Sequence, residues 1–280
     1  MVIWIIRQSK TIGKAFFVLV GIIVVTSVSI DATDTFSTSQ SALGILATFA
    51  TAPACATDSA PLQTESGTLC VDLYEASVGD KCLVKNPASL LDTAVNANDS
   101  DCRPLSQPAM LPWRQVTHAQ ATQLCARAGK RLLTVLEWSK AAAGTPDNAT
   151  VCALKENLRP SGQDSRCVSG MGAFDMVGNV WELVAGTVVA GNLEETALPP
   201  SGYVTAISAD SWPSNTGSSS SIVYNKDYFW SEATGTYVIL RGGFYGSGLD
   251  GGLYSAHADI AADFASAAVG FRCARQLAGQ

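Results

Sequence analysis

All eight cysteines of this 280-residue chain lie beyond residue 50: Cys55, Cys70, Cys82, Cys102, Cys125, Cys152, Cys167 and Cys273. None forms a CxxC pair, and only His118 and His257 accompany them. The tight Cys/His spacing of a structural zinc site is therefore missing. An even cysteine count behind an export signal reads instead as a disulfide framework made in an oxidising compartment. Spacing suggests Cys82–Cys102 and Cys152–Cys167 as local loops and Cys125–Cys273 as a long staple, with Cys55 and Cys70 left over. Spacing alone proves no connectivity. Each bridge would contribute roughly 2–4 kcal/mol.

The N-terminus supplies the export signal. Arg7, Lys10 and Lys14 precede an apolar run from Ala15 to Val25, a positive n-region before an h-region. Continued to Ile30 the run reaches about 16 residues, near the lower limit for a spanning helix. Residues 1–30 are read as a signal or membrane anchor, which makes the product exported, at the cell surface or membrane-anchored through its N-terminus. A second apolar stretch ends in Ala52-Pro-Ala-Cys55. Lipid attachment at Cys55 would suit it, but Ala52 stands where a lipobox usually has Leu. Residues 31–65, rich in Ser, Thr and Ala, read as a spacer.

The rest is apolar enough to build a core: 47% hydrophobic, 15% charged, net charge −6. With no Lys/Arg block, nucleic acid is not an expected partner. The folded domain, residues 66–276, begins with the alternating pattern Cys70-Val-Asp-Leu-Tyr-Glu-Ala, and residues 86–112 read as loop. Two helices follow. Thr117-His-Ala-Gln120 and Thr134-Val-Leu-Glu137 are capping boxes, in which the Thr hydroxyl and the Gln or Glu side chain satisfy each other's free N–H groups. The first helix places Ala121, Leu124, Cys125 and Ala128 on one face and stops at Gly129. The second places Trp138, Ala141 and Ala142 inward and stops at Gly144. His118, in a first turn, is read as solvated. After Cys167 come short strands and a loop-rich insertion at 191–235. The fold class is α+β: two helices, short twisted antiparallel strands and long loops.

Four pieces fall in a fixed order: Cys70-Val-Asp-Leu-Tyr-Glu-Ala-Ser, Gly129-Lys-Arg-Leu-Leu-Thr-Val-Leu-Glu-Trp138, Asp175-Met-Val-Gly-Asn-Val-Trp-Glu182, and Leu240-Arg-Gly-Gly with Gly270-Phe-Arg-Cys273. Together they resemble the formylglycine-generating-enzyme, or sulfatase-modifying-factor, domain, which has a C-type-lectin-like fold. The resemblance implies calcium beside the Gly-Asn-Val-Trp-Glu turn, on Asn179, Glu182 and the carbonyls of Gly178 and Val180. The alternative is that Asn179 and Glu182 only hydrogen-bond the turn. Family oxidases carry a C-terminal cysteine pair that binds copper. Here Ser255–Ala268 has no cysteine, and a copper-thiolate site needs two soft ligands together. Copper and oxidase activity are therefore not expected, although a copper-dependent formylglycine-generating oxidase or another enzyme of that family remains the alternative function. Arg241 and Arg272 are read as structural pairings under the sheet.

The closing segment, 241–273, also resembles the variable region of a diversity-generating-retroelement protein. Adenine-directed mutation of AAY codons never yields Lys, Gln, Glu, Met or Trp. The interior, 244–268, contains none of the five, and no Asn either. The five make up roughly one residue in eight of the chain, too many for their joint absence to be expected by chance. The resemblance implies a surface-displayed protein recognising a protein or glycan ligand. Its exchangeable positions would be Phe244, Gly246, Ser247, Asp250, His257, Asp259, Ile260, Phe264, Ser266 and Ala268, with Gly248 and Gly252 fixed. Phe244, Tyr245, Tyr254 and Phe264 would be the adhesive anchors. Ala256, Ala258 and Ala261 would leave room around them.

Overall fold

The computed structural model describes residues 54–277 apart from residue 156. The signal or anchor assigned to 1–30 and the spacer up to residue 53 lie outside the described residues. The folded chain starts earlier than residue 66. Strand β1 (Ser59–Thr64) takes the end of the expected spacer and pairs antiparallel with β2 (Gly67–Asp72). Cys55 is bonded to Cys70, so its sulfur is not free to carry a lipid. The other bridges are Cys82–Cys102, Cys125–Cys273 and Cys152–Cys167. All eight sulfurs are used, which fits an oxidising compartment. Among the described residues no helix is long and apolar enough to cross a membrane.

Strand β2 also pairs with β15 (Cys273–Gln276), which pairs with β5 (Arg131–Leu132). This small sheet ties the two ends of the folded domain together. Strands β3 (Ala76–Val78) and β4 (Pro104–Ser106) form a separate ribbon.

Three helices are present among the described residues. Two follow the capping boxes, α2 (His118–Arg127) and α3 (Val135–Ala142). Helix α2 ends in a Schellman motif, with N–H bonds from Gly129 to the Ala126 carbonyl and from Lys130 to the Cys125 carbonyl. Helix α1 (Leu90–Asn98) lies in the stretch read as loop. It also has a capping box, Ser89 with Asp92, but its apolar pattern is inverted. Leu90, Leu91 and Val95 are exposed, and Thr93, Asn96 and Ala97 are buried. Asn96 explains the inversion by accepting from the Val84 N–H and donating to its carbonyl. His118 is half-buried rather than solvated. Its Nε2 lies 3.1 Å from the Val184 carbonyl, and burial pushes its pKa down.

The large sheet carries the C-terminal segment. From one edge it runs β10 (Pro213–Gly217), β9 (Gly202–Ile207), β11 (Tyr228–Ser231), β13 (Ala256–Ile260), β12 (Thr236–Arg241), β6 (Trp181–Val189), β7 (Asn192–Leu193) and β8 (Thr196–Ala197). Strand β14 (Val269–Phe271) also pairs with β6. The pairings are antiparallel except for β11–β13 and β14–β6, which are parallel. Both faces are covered. Val238 and Leu240 join one apolar cluster with Trp113, Leu124, Trp181 and Phe271, whereas Ile239 joins another with Trp138, Val184 and Phe229. This is the period-two alternation of a strand.

Candidate functional site

The frame of the segment is built from buried polar groups. Arg272 is 1% exposed. It donates from Nε and Nη2 to Glu182 Oε1 at 3.0 and 2.7 Å, from Nη1 to the Asp72 carbonyl and from Nη2 to the Phe174 carbonyl. Burial works against its charge, but Glu182, Glu75 and Asp175 outweigh that and hold the guanidinium above its usual range. Trp138 Nε1 donates to the other Glu182 oxygen at 2.7 Å. Asn179 is spent in the same network. Its Oδ1 accepts from the Arg159 N–H, and its Nδ2 donates to Glu75 Oε2 at 2.6 Å. Burial, then the neighbouring carboxylates Asp175 and Glu182, raise Glu75 well above the usual carboxylate range.

These residues do not fit the calcium site that the resemblance implied. Calcium takes six to eight oxygens. Both Glu182 oxygens are already held by a guanidinium and an indole, and the Asn179 oxygen by a backbone donor. At the Gly178–Glu182 turn, Asn179 and Glu182 are both hydrogen-bonded within this network.

Arg241 is fully buried but has a different setting. Its guanidinium lies 4.4 Å over the Trp138 ring and 5.1 Å over Trp212. It donates to Ser139 Oγ and the Leu253 carbonyl. Burial lowers its pKa to about 9. Arg272 thus makes the expected pairing, whereas Arg241 is held by rings and neutral acceptors.

Beneath the segment lies the Asp147–Asp227 carboxylate pair. Burial and then Asp147 push Asp227 well up, and burial raises Asp147. Asp227 Oδ2 accepts from the Tyr254 N–H at 2.6 Å. Gly252 sits directly on the pair. A Cβ there would fall 2.1 Å from Asp227 Oδ1 and 2.5 Å from Asp147 Oδ1, closer than any side chain permits. Gly248 has φ +69° with open space around it, so backbone conformation is its constraint.

Between these fixed points the interior runs over the surface. Of the ten positions expected to be exchangeable, Gly246, Asp250 and Phe264 are exposed and the other seven half-buried. The backbone is pinned by bonds from Tyr245 N to the Asn179 carbonyl, from Gly248 N to the Leu154 carbonyl, and from Gln115 N to the Ser266 carbonyl. Phe244, Ile260 and Ala268 each pack against the first apolar cluster. In β13 the side chains alternate: Ala256 and Ala258 are 0% exposed, and His257 and Asp259 are half-buried. The two small residues therefore serve core packing rather than leaving room for aromatics, while Ala261 is exposed. The four expected anchors do not form one set. Phe244 and Tyr245 adjoin at 5.2 Å and Phe264 is 42% exposed. Tyr254 instead packs against the second cluster and meets Tyr224 edge-on.

Sequence reasoning missed the aromatic neighbours of His257. Trp230 is its register partner across β11–β13, with ring centroids 4.1 Å apart and planes 11° from parallel. Trp181 meets His257 edge-on at 5.0 Å. Tyr228 lies 4.7 Å from Trp230, and Tyr203 lies 5.0 Å from Tyr228. The alternation in Tyr228-Phe-Trp230 was the available signal, since Phe229 faces the core between two outward rings. His257 Nδ1 lies 2.9 Å from Asp259 Oδ1. A cavity of about 580 Å³ lined by Thr134, Leu198 and Trp212 includes none of the segment's residues.

Architecture and site together define a disulfide-stapled α+β domain whose C-terminal segment lies on its surface between buried anchors. Residues 71–277, about three quarters of the chain, match the sulfatase-modifying factor enzyme 1-like domain. The chain belongs to that family and has its C-type-lectin-like fold. No curated protein is significantly similar to it. Among solved structures, the Major Tropism Determinant P3c variant is 12% identical with a TM-score of 0.42, covering 79% of this chain and 55% of that one. The chain thus spans about half of that protein's length. Treponema denticola variable protein 1 is 13% identical with a TM-score of 0.41, covering 80% and 93%. PvdO from Pseudomonas aeruginosa is 15% identical with a TM-score of 0.39, covering 80% and 100%.

Proposed function

We propose that this chain is an exported ligand-binding protein displayed at the cell surface, and that residues 244–268 are its recognition face, diversified by a retroelement. The observation that carries the reading is the placement of the ten exchangeable positions. Every one reaches the surface at least in part, while Arg241–Gly243 and Val269–Cys273 on either side are buried. A loop surface over a rigid scaffold can change its chemistry without unfolding the scaffold. The residue types absent from the interior match those that adenine-directed mutation cannot produce. The copper-oxidase alternative needs thiolates at the C-terminus, but the Cys273 sulfur is already bonded to Cys125. Fold alone does not confer activity.

Sequencing this locus and its flanks in independent isolates tests the reading. The expected result is a reverse transcriptase gene and a near-copy of the codons for 241–273, with isolates differing at the ten positions. Invariant codons and no second copy would overturn it.

A further inference from the structure

We infer that, with the residues this chain carries at its exchangeable positions, the partner of this face is a protein surface presenting lysine or arginine side chains, received against an aromatic shelf contributed from outside those positions. The inference rests on the recognition reading above and adds the partner's chemistry.

The shelf is set by strand pairing. Register places Tyr203 beside Tyr228 across β9–β11 and Trp230 beside His257 across β11–β13. Trp181 closes the row from β6, 6.0 Å from Trp230. Tyr203, Tyr228 and Trp230 are half-buried, so part of each ring reaches the surface. None of the four lies within 244–268, so they stay constant while positions 257 and 259 change.

The charge around the shelf has one sign along the segment. From residue 242 to 271 the charged side chains are Asp250, Asp259 and Asp263, with no lysine or arginine. Asp250 and Asp263 are exposed, as is Glu232 just beyond β11. The Asp259 side chain, beside the stacked imidazole, is 24% exposed. On the basic side, Arg114 is half-buried and bonded to the Ala267 carbonyl, and Lys226 precedes β11.

Aromatic quadrupoles and carboxylates both attract cations, and a guanidinium can stack and donate at once. An anionic partner would meet carboxylates along the segment. A neutral sugar would gain no charge attraction from the carboxylates.

The test uses the full chain with octalysine, octaglutamate and maltoheptaose as probes, read by calorimetry or surface plasmon resonance. Octalysine should bind in preference to both others and weaken about tenfold as salt rises from about 50 to about 300 mM. Asp259→Asn should weaken it severalfold, and Trp230→Leu at least as much. Asp101→Asn, an exposed carboxylate on the α1–β4 connection, should leave it unchanged. If Trp230→Leu does not fold, as judged by thermal unfolding, Trp230→Phe with Asp259→Asn decides the matter. Equal loss from Asp101→Asn, or no preference for octalysine, overturns the cationic partner. With isolates still differing at the ten positions, that outcome leaves the recognition face standing. Invariant isolates would instead overturn the face itself.

Discussion

Arg272 and Phe264 belong to the same chain segment but to opposite environments. Arg272 is 1% exposed and spends its donors on Glu182 and two carbonyls, whereas Phe264 is 42% exposed. The frame is specified through side chains, with the Arg272 guanidinium, both Glu182 oxygens and the Asn179 amide held by particular partners. The interior is held largely through its backbone, by N–H bonds at Tyr245 and Gly248 and carbonyl bonds at Ser266 and Ala268. Nearly any side chain leaves such bonds intact. Tolerance of substitution in the interior therefore need not cost the segment its shape.

The strongest way to break this contrast is at the frame. Arg272→Leu strands the buried Glu182 carboxylate and should cost about 3–5 kcal/mol, read from denaturant midpoints; a loss below about 1 kcal/mol would show that the network does not hold the frame. Gly252→Ala forces a methyl into the Asp147–Asp227 pair and should cost about 1–3 kcal/mol, although it lies inside the segment. It therefore separates fixed from exchangeable positions.

Acidity sharpens the same contrast. Burial lifts Asp72 to about 6 against its 2.5 Å ion pair with Lys130, and lifts Asp175 to about 6. Both are 3.8 when unperturbed. A carboxyl that holds its proton more tightly in the folded state contributes stability below about pH 4 and loses it as pH rises through 6. The melting temperature should accordingly fall between about pH 4 and pH 7. A flat or rising profile across that window would contradict the burial of these groups.

Smaller effects belong to the interior. Phe264→Ser and Asp250→Asn should each change stability by no more than about 0.5 kcal/mol, and a loss above 2 kcal/mol in either would end the contrast. Smallest of all, chelating calcium should leave the melting temperature unchanged, because Glu182 and Asn179 are already satisfied. A shift of several degrees would restore the calcium site.

Helices α2 and α3 were legible because a capping box is a local hydrogen-bonding pattern, complete within a few residues. The strand pattern at Cys70 and the local disulfides were legible for the same reason. Helix α1 was not, although Ser89-Leu-Leu-Asp92 is a capping box too, because no apolar face follows it: Asn96 turns the pattern inside out by bonding Val84. At the site, the exposure of Asp250 and Phe264 matched the irregular pattern around them. The stacking of Trp230 on His257 depends on a parallel pairing between distant strands, and no local pattern encodes it.

The chain by itself pointed to its family and its α+β class, because these rest on residue types and short ordered motifs. Tertiary structure decided which of its residues are partners: Glu182 with Arg272, Arg241 with two indoles, Cys55 with Cys70. It also decided that two rings from outside the segment, Trp230 and Trp181, meet His257. Such choices turn on which groups share a buried space, and that proximity comes from how the whole chain packs.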